Sequence, residues 1–154
     1  MESRSAESAA KPPTYKLLRL WGPLVLWLVI IFVFSSLHRT PLPKNKYISW
    51  DKVAHILEYS LLGYLAARAL ALSGFRHLRP HYLGITLLIG LLYGISDEIH
   101  QYYVPGRYSS PWDVLADLVG VTIGALVFRR WLIKNRISGE ALLPMLPKIT
   151  NNKT

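Results

Sequence analysis

The sequence of 154 residues contains no cysteine, which excludes disulfide bonds and thiolate metal sites. Acidic residues are also scarce, since nine Asp and Glu stand against eighteen Lys and Arg and leave a formal net charge of +9. A positive excess is common in nucleic-acid-binding proteins, but the sequence contains no recognisable motif of that class. We therefore predict no nucleic-acid partner and attribute the charge to membrane orientation and attraction to anionic lipid.

Hydrophobic residues, by contrast, make up 51% of the chain. Residues 20–37 form an uncharged run of eighteen, which is long enough to cross a hydrocarbon layer about 30 Å thick. The run is longer than the apolar core of a cleaved signal peptide, and no Ala-x-Ala-like cleavage site follows it. We interpret it as a membrane-spanning helix.

Three further apolar segments, at about 53–73, 82–102 and 111–133, follow this first one at about 17–37. The uncharged runs of the second and fourth segments, 59–67 and 118–128, are too short to span a membrane alone. Re-entrant loops would expose unpaired backbone groups to lipid, so we favour four helices with polar residues inside the membrane. The prediction is an all-α bundle of four transmembrane helices over 17–133, between a disordered tail (1–16) and a second tail (134–154).

The positive charges favour one orientation of this bundle. With both termini in the cytoplasm, twelve Lys and Arg residues lie on the cytoplasmic side and five on the opposite side. We therefore predict a multi-pass protein of the cell membrane. Six acidic residues then lie near the outer ends of the second, third and fourth helices. Ionisable groups inside a membrane are energetically costly and are usually functional. The six acidic residues are Asp51, Glu58, Asp97, Glu98, Asp113 and Asp117.

The segment WDKVAHILEYS carries a candidate chemical group. Asp51, His55 and Tyr59 are four residues apart and therefore lie on one helix face. With Asp51 one turn away, His55 can be kept protonated or be oriented as a general acid or base. The alternative is a polar face whose hydrogen bonds hold the helices together.

The segment YGISDEIHQYY carries a second candidate chemical group. Gly94, Glu98 and Gln101 share one face, and a further glycine four residues before Gly94 permits close helix approach. We predict that Glu98 is a buried carboxylate with Gln101 as its hydrogen-bonding neighbour. Asp97 and His100 point elsewhere and are expected to face solvent or lipid headgroups.

The segment VPGRYSSPWD predicts a turn followed by a helix start. Pro105 and Gly106 favour a tight turn, while Ser110 and Asp113 form an S-x-x-D capping box. Arg107 lies beside a helix N-terminus, where backbone N–H groups also attract anions, so we favour recognition of a phosphate or carboxylate. The alternative is an arginine that extends to headgroup phosphates.

The fourth helix carries a polar and small-residue stripe, formed by Asp113, Asp117, Gly120 and Gly124. The glycines bring this helix close to a neighbour, so we expect Asp117 to face protein and not lipid. The alternative for Asp117 is a hydrogen bond to a helix partner such as Tyr59.

Metal binding is a minor alternative. Asp51, His55, Glu98 and Asp117 are suitable ligands by type, but the chain has no HExxH motif or comparable ligand spacing. We therefore predict neither a metal nor another cofactor.

Two stretches, DKVAHILEYSLLGYL (51–65) and LYGISDEIHQYYVPGRYSSPWDVLADLVGVTIGAL (92–126), resemble the VanZ-like family of integral membrane proteins. The family is named after a protein linked to low-level teicoplanin resistance. The resemblance implies a cell-envelope membrane protein but no defined reaction. Asp117 stands where many members have Asn. The family's polar positions fall on Asp51, Lys52, His55, Tyr59, Glu98, Gln101, Pro105, Gly106, Arg107, Ser110, Asp113 and Asp117.

The first functional hypothesis is a membrane enzyme or binding protein for an anionic envelope lipid, such as a polyprenyl phosphate or a glycolipid precursor. Arg107 and Lys52 would hold the phosphate. His55, oriented by Asp51, and Glu98 would supply acid and base. The other predicted binding residues are Tyr59, Gln101, Ser110, Asp113 and Asp117.

Two other hypotheses involve no lipid chemistry. A non-enzymatic accessory protein, alone, as an oligomer or in an envelope complex, would use the polar residues to hold its helices together. A proton-coupled transporter is the third hypothesis, although four helices are few and neither inverted repeats nor interrupted helices are visible.

Overall fold

The computed structural model describes residues 14–37, 50–75, 77–107 and 109–137. This part of the chain is helical and contains no strand, which confirms the predicted all-α class. The four α-helices are α1 (Thr14–Ser36), α2 (Trp50–Leu72), α3 (Tyr82–Tyr102) and α4 (Pro111–Ile137), and a 3₁₀ turn (Arg79–His81) precedes α3. The predicted tails fall mostly outside the described residues, but α1 begins three residues before its predicted start and α4 continues four residues beyond its predicted end.

The centre of the bundle is α2, which contacts each of the other three helices and packs most extensively against α4. Glycines on α4 allow this close packing. A Cβ atom on Gly120 would lie 2.5 Å from the carbonyl oxygen of Ile56, and one on Gly124 would lie 1.8 Å from that of Ser60. The close approach predicted from the small-residue stripe of α4 is therefore confirmed.

Glycines on α3 meet the same helix from the other side. A Cβ on Gly90 would lie 2.4 Å from the side chain of Val121, and one on Gly94 would lie 2.8 Å from Oδ2 of Asp117. Because α2 and α3 both approach α4 this closely, Asp117 is fully buried in protein, as the sequence predicted.

Hydrogen bonds between helices fix the position of α1. The indole Nε1 of Trp27 donates to the carbonyl oxygen of Glu58 on α2 at 2.9 Å. The hydroxyl of Tyr93 on α3 donates to the carbonyl oxygen of Leu28 at 2.6 Å. The outward face of α1 stays apolar and exposed, with Val25, Val29 and other large side chains at helical spacing.

Three helical segments, Thr14–Ser36, Arg79–Tyr102 and Pro111–Asn135, are long and apolar enough to cross a membrane. The segment α2 is not among them, although it is 23 residues long. Asp51, Lys52, Glu58 and Arg68 lower its hydropathy, and this central helix needs less apolar surface because it packs against all three other helices. The fold fits a membrane protein, while the four-span count and the cytoplasmic termini stay predictions.

Candidate functional site

Charged side chains from three helices meet at the end of the bundle where α1 and α3 end and α2 and α4 begin, which we call the polar end. Lys52 on α2 is bonded to Asp113 on α4, and Ser36 on α1 is bonded to His100 on α3 at 2.9 Å. These contacts bring the four helix termini together.

The turn between α3 and α4 has the predicted geometry. The N–H of Arg107 donates to the carbonyl oxygen of Val104 at 3.2 Å, which closes the turn around Pro105 and Gly106. Gly106 has a φ of 81°, a left-handed conformation that side-chain-bearing residues rarely adopt. A proline followed by a left-handed glycine is typical of a type II turn.

The start of α4 is capped, but not entirely as predicted. The N–H of Trp112 donates to Oγ of Ser110 at 3.3 Å, which confirms Ser110 as the N-cap. The predicted reciprocal bond, from the N–H of Ser110 to the carboxylate of Asp113, is wrong, because this N–H donates to Oε2 of Glu98 on α3 at 2.6 Å. Glu98 takes over this capping role, and Asp113 instead accepts a bond from Lys52.

The imidazole of His55 is held by α4. Its Nδ1 lies 2.8 Å from Oδ1 of Asp117, and both side chains are buried. The sequence assigned an orienting role to Asp51, one turn before His55 on the same helix, and Asp51 also interacts with His55 electrostatically. Spacing along a helix could reveal the neighbour one turn away, whereas it could not reveal a partner on another helix.

Tyr59 is also near this pair without bonding to Asp117. Its ring stacks on that of His55, with the centroids 6.3 Å apart and the planes at 13°. Its hydroxyl is buried and has no hydrogen-bond partner within the described part of the chain. The suggested hydrogen bond from Tyr59 to Asp117 is therefore wrong.

The polar face of α3 is wider than the sequence indicated. Glu98 and Gln101 are buried as predicted, but Gln101 donates from Nε2 to Oδ2 of Asp97 at 3.0 Å and not to Glu98. Asp97 is only 6% exposed, so its expected position facing solvent or headgroups is wrong. The reason is that α3 contacts α1, α2 and α4, which together cover more than one stripe of its surface.

Arg107 makes hydrogen bonds to the end of α1. Its Nε and Nη2 donate to the carbonyl oxygens of Ser35 and Phe34, each at 3.2 Å. These carbonyls belong to the last turn of α1, whose final C=O groups have no partner within the helix. The guanidinium thus caps α1 and complements the negative end of its dipole. Anion recognition by Arg107 stays a prediction.

The core of the polar end is a group of six interacting side chains, which we call the polar cluster. Lys52 binds Asp113, His55 binds Asp117, and Glu98 is close enough to interact electrostatically with His55 and Asp113. Two carboxylate oxygens in it, Oε1 of Glu98 and Oδ2 of Asp117, are buried without a hydrogen-bond partner within the described residues. The cluster comprises Asp51, Lys52, His55, Glu98, Asp113 and Asp117.

The fold and the site fit a class of protein, a small helical membrane protein with a buried acidic and histidine-containing site at one end of its bundle. The chain belongs to the VanZ/LLP1 family, whose family model matches residues 15–134. This range includes all ten predicted site residues, and it confirms the resemblance found in the sequence. No curated protein and no solved structure matches the chain.

Proposed function

We propose that this protein crosses the cell membrane with four helices and binds an anionic envelope lipid at the polar end, in the outer leaflet. The observation that carries the proposal is the buried pair of His55 and Asp117 beside the unpartnered Oε1 of Glu98. Ionisable groups inside membrane helices are costly and usually belong to a binding or transport site. The excess of Lys and Arg at the opposite ends of the helices supports the outward orientation.

The same geometry supports acid and base chemistry on such a lipid. Since the carboxylate of Asp117 accepts a bond from Nδ1 of His55, the ring keeps Nε2 for exchange of a proton. Glu98 is fixed through one oxygen by the N–H of Ser110, which leaves the other oxygen for a second proton transfer. The polar cluster therefore has the groups for processing a headgroup as well as for binding it.

Lys52 and Arg107 support the anionic character of the ligand. The side chain of Lys52 is 41% exposed, so its ammonium can reach a headgroup at the surface of the polar end. Arg107 is half-buried beside the turn that closes this end. Both cations lie where the phosphate of a polyprenyl phosphate or a charged glycolipid would approach.

The second candidate is a non-enzymatic accessory protein whose polar residues hold the helices together. The bonds of Arg107 to α1, and those of Trp27 and Tyr93 between helices, favour it. Hydrogen bonds of this kind stabilise membrane proteins by about 0.6 kcal/mol on average. This role would not require the buried, unpartnered oxygens of Glu98 and Asp117.

The lipid proposal is tested by mass spectrometry of lipids retained by the gently purified full-length protein. The wild type is expected to retain an anionic lipid enriched over the bulk membrane, and His55→Gln and Glu98→Gln are expected to lose it. Glu58→Gln is the matched control, because it makes the same change outside the polar cluster. Bulk-like lipid in all four proteins would reject the proposal.

We further propose a link to teicoplanin-type resistance, following the family's name. Expression of the wild type in a susceptible host is expected to raise the inhibitory concentration of teicoplanin, whereas His55→Gln and Glu98→Gln are not. Full resistance from both variants at equal membrane abundance would favour the accessory role.

A further inference from the structure

The polar cluster contains more negative than positive charge. Its six members include four carboxylates, one ammonium group and one imidazole, so the carboxylates outnumber the cations of the cluster even when His55 is protonated. A phosphate that approached these carboxylates directly would be repelled, which calls for a further cation between the two.

Three side chains of the cluster are arranged as metal ligands. Asp51 and His55 on α2 and Asp113 on α4 each offer one ligand atom, and these atoms lie within 4.8 Å of one another. Oxygen ligands on opposite sides of Mg²⁺ or Ca²⁺ are about 4–5 Å apart, since each lies about 2.0–2.6 Å from the ion. A divalent cation can therefore sit between the three side chains after small rotations.

Glu98 provides independent support for a cation at this place. Its side chain is 5% exposed, and its Oε1 is buried without a hydrogen-bond partner in the described part of the chain. The bond from Ser110 to the other oxygen fixes the carboxylate within electrostatic range of His55 and Asp113. A buried carboxylate oxygen without a donor is costly, and a cation held by the three ligands would offset its charge.

His55 has the surroundings of a metal-ligating histidine. Ligating histidines usually bind the metal through one ring nitrogen and donate from the other to a carboxylate. Asp117 already holds Nδ1 of His55, which leaves Nε2 for the metal, and a bound metal would take the place of a proton on that atom. Asp117 would thus orient the ligand without itself binding the ion.

We propose that Asp51, His55 and Asp113 bind a divalent cation beside Glu98, and that this cation bridges the polar cluster to the phosphate of the lipid. Only the bridging part rests on the proposed function. Carboxylate oxygens with one imidazole suit Mn²⁺, Zn²⁺ or Mg²⁺. Lys52 now neutralises Asp113, and with its exposed side chain it can move aside when the cation binds.

The cation site is tested with Mn²⁺ on the purified full-length protein in uncharged detergent, by electron paramagnetic resonance of the free ion. The wild type is expected to bind one Mn²⁺ per chain. Asp51→Asn and Asp113→Asn are each expected to weaken Mn²⁺ binding by more than about ten-fold, as comparable substitutions do at the metal sites of other proteins. Thermal unfolding of each variant checks that it remains folded.

Asp97→Asn is the matched control, because it removes a buried carboxylate close by that is not one of the proposed ligands. It is expected to keep Mn²⁺ affinity within a few-fold of the wild type. The site is overturned if the wild type leaves the Mn²⁺ signal unchanged. It is also overturned if Asp97→Asn weakens binding as much as Asp113→Asn, since bulk charge would then explain the effect.

A second measurement separates the cation from the lipid. Lipid retained by the wild type is compared before and after removal of divalent ions with a chelator. Loss of the lipid on chelation and its return with Mn²⁺ would support the bridge. Retention after chelation would overturn the bridge and leave the lipid proposal intact. Mn²⁺ binding without any specific lipid would leave the cation site intact and reject the proposed function.

Discussion

The two ends of the bundle join the same three helices by different means. At the end opposite the polar end, Phe128 on α4 is fully buried and makes edge-on contacts with Tyr64 on α2 and Tyr82 on α3. Trp131 stacks on the same ring, with centroids 5.7 Å apart. We call this group the aromatic end. It demonstrates that aromatic contacts can join α2, α3 and α4.

The contrast between the polar end and the aromatic end indicates that the charges of the polar end do more than hold the helices together. A cluster selected only to hold helices together would satisfy all its buried polar atoms, because each unsatisfied one is costly. Glu98 and Asp117 each keep a buried oxygen without a partner among the described residues. Such incomplete satisfaction is expected of a site that awaits a ligand.

The largest expected effect on stability comes from the aromatic end. Phe128→Ala removes the ring shared by α2, α3 and α4 and should destabilise the protein by about 3–5 kcal/mol, as for other buried aromatic residues. Thermal unfolding in detergent measures the loss, and Mn²⁺ affinity of the folded fraction should stay unchanged. Equal loss of Mn²⁺ affinity would contradict the separation of the two ends.

A smaller loss of stability is expected at the crossing of α2 and α4. Gly124→Ala places a methyl group against the backbone of Ser60 and should cost about 1–3 kcal/mol, since backbone cannot move aside as a side chain can. Gly84→Ala is the control, because a Cβ there has nothing within 4 Å. If both variants unfold at the same temperature, the described crossing is wrong.

At the polar end we expect a small effect on stability and a large effect on lipid binding. Glu98→Gln keeps the shape and an oxygen for the N–H of Ser110, so the free energy of unfolding should change by less than about 1 kcal/mol. Retained anionic lipid should nevertheless fall to the bulk level. A strongly destabilised variant that still retains the lipid would make the polar end structural, like the aromatic end.

The smallest expected effect is a gain in Mn²⁺ affinity. Lys52→Gln removes the ammonium that neutralises Asp113, so Mn²⁺ should bind several-fold more tightly. A titration of Mn²⁺ against wild type and variant measures the change. Weaker binding in the variant would mean that Lys52 helps to form the site and does not compete with the cation.

The sequence predicted the features that depend on residues close together in the chain. The helix positions, the turn at Gly106 and the N-cap at Ser110 follow from local spacing and backbone preference. The glycine pairs also predicted which helix faces meet closely. Each of these signals acts within one or two helical turns.

The partners across helices could not be predicted in the same way. The pairing of His55 with Asp117, the bond from Ser110 to Glu98 and the capping of α1 by Arg107 depend on the rotation and depth of each helix. These quantities are fixed by packing between helices, for which spacing along the chain carries no signal. The same reason hid Asp113 as a possible metal ligand.

The most direct test of the proposed role of the polar end is a binding titration in nanodiscs of neutral lipid with a polyprenyl phosphate and, separately, with the corresponding polyprenol. We expect the wild type to bind the phosphate and not the alcohol, and Glu98→Gln to bind neither, while Glu58→Gln behaves as the wild type. Equal binding of phosphate and alcohol, or full phosphate binding by Glu98→Gln, would contradict the account.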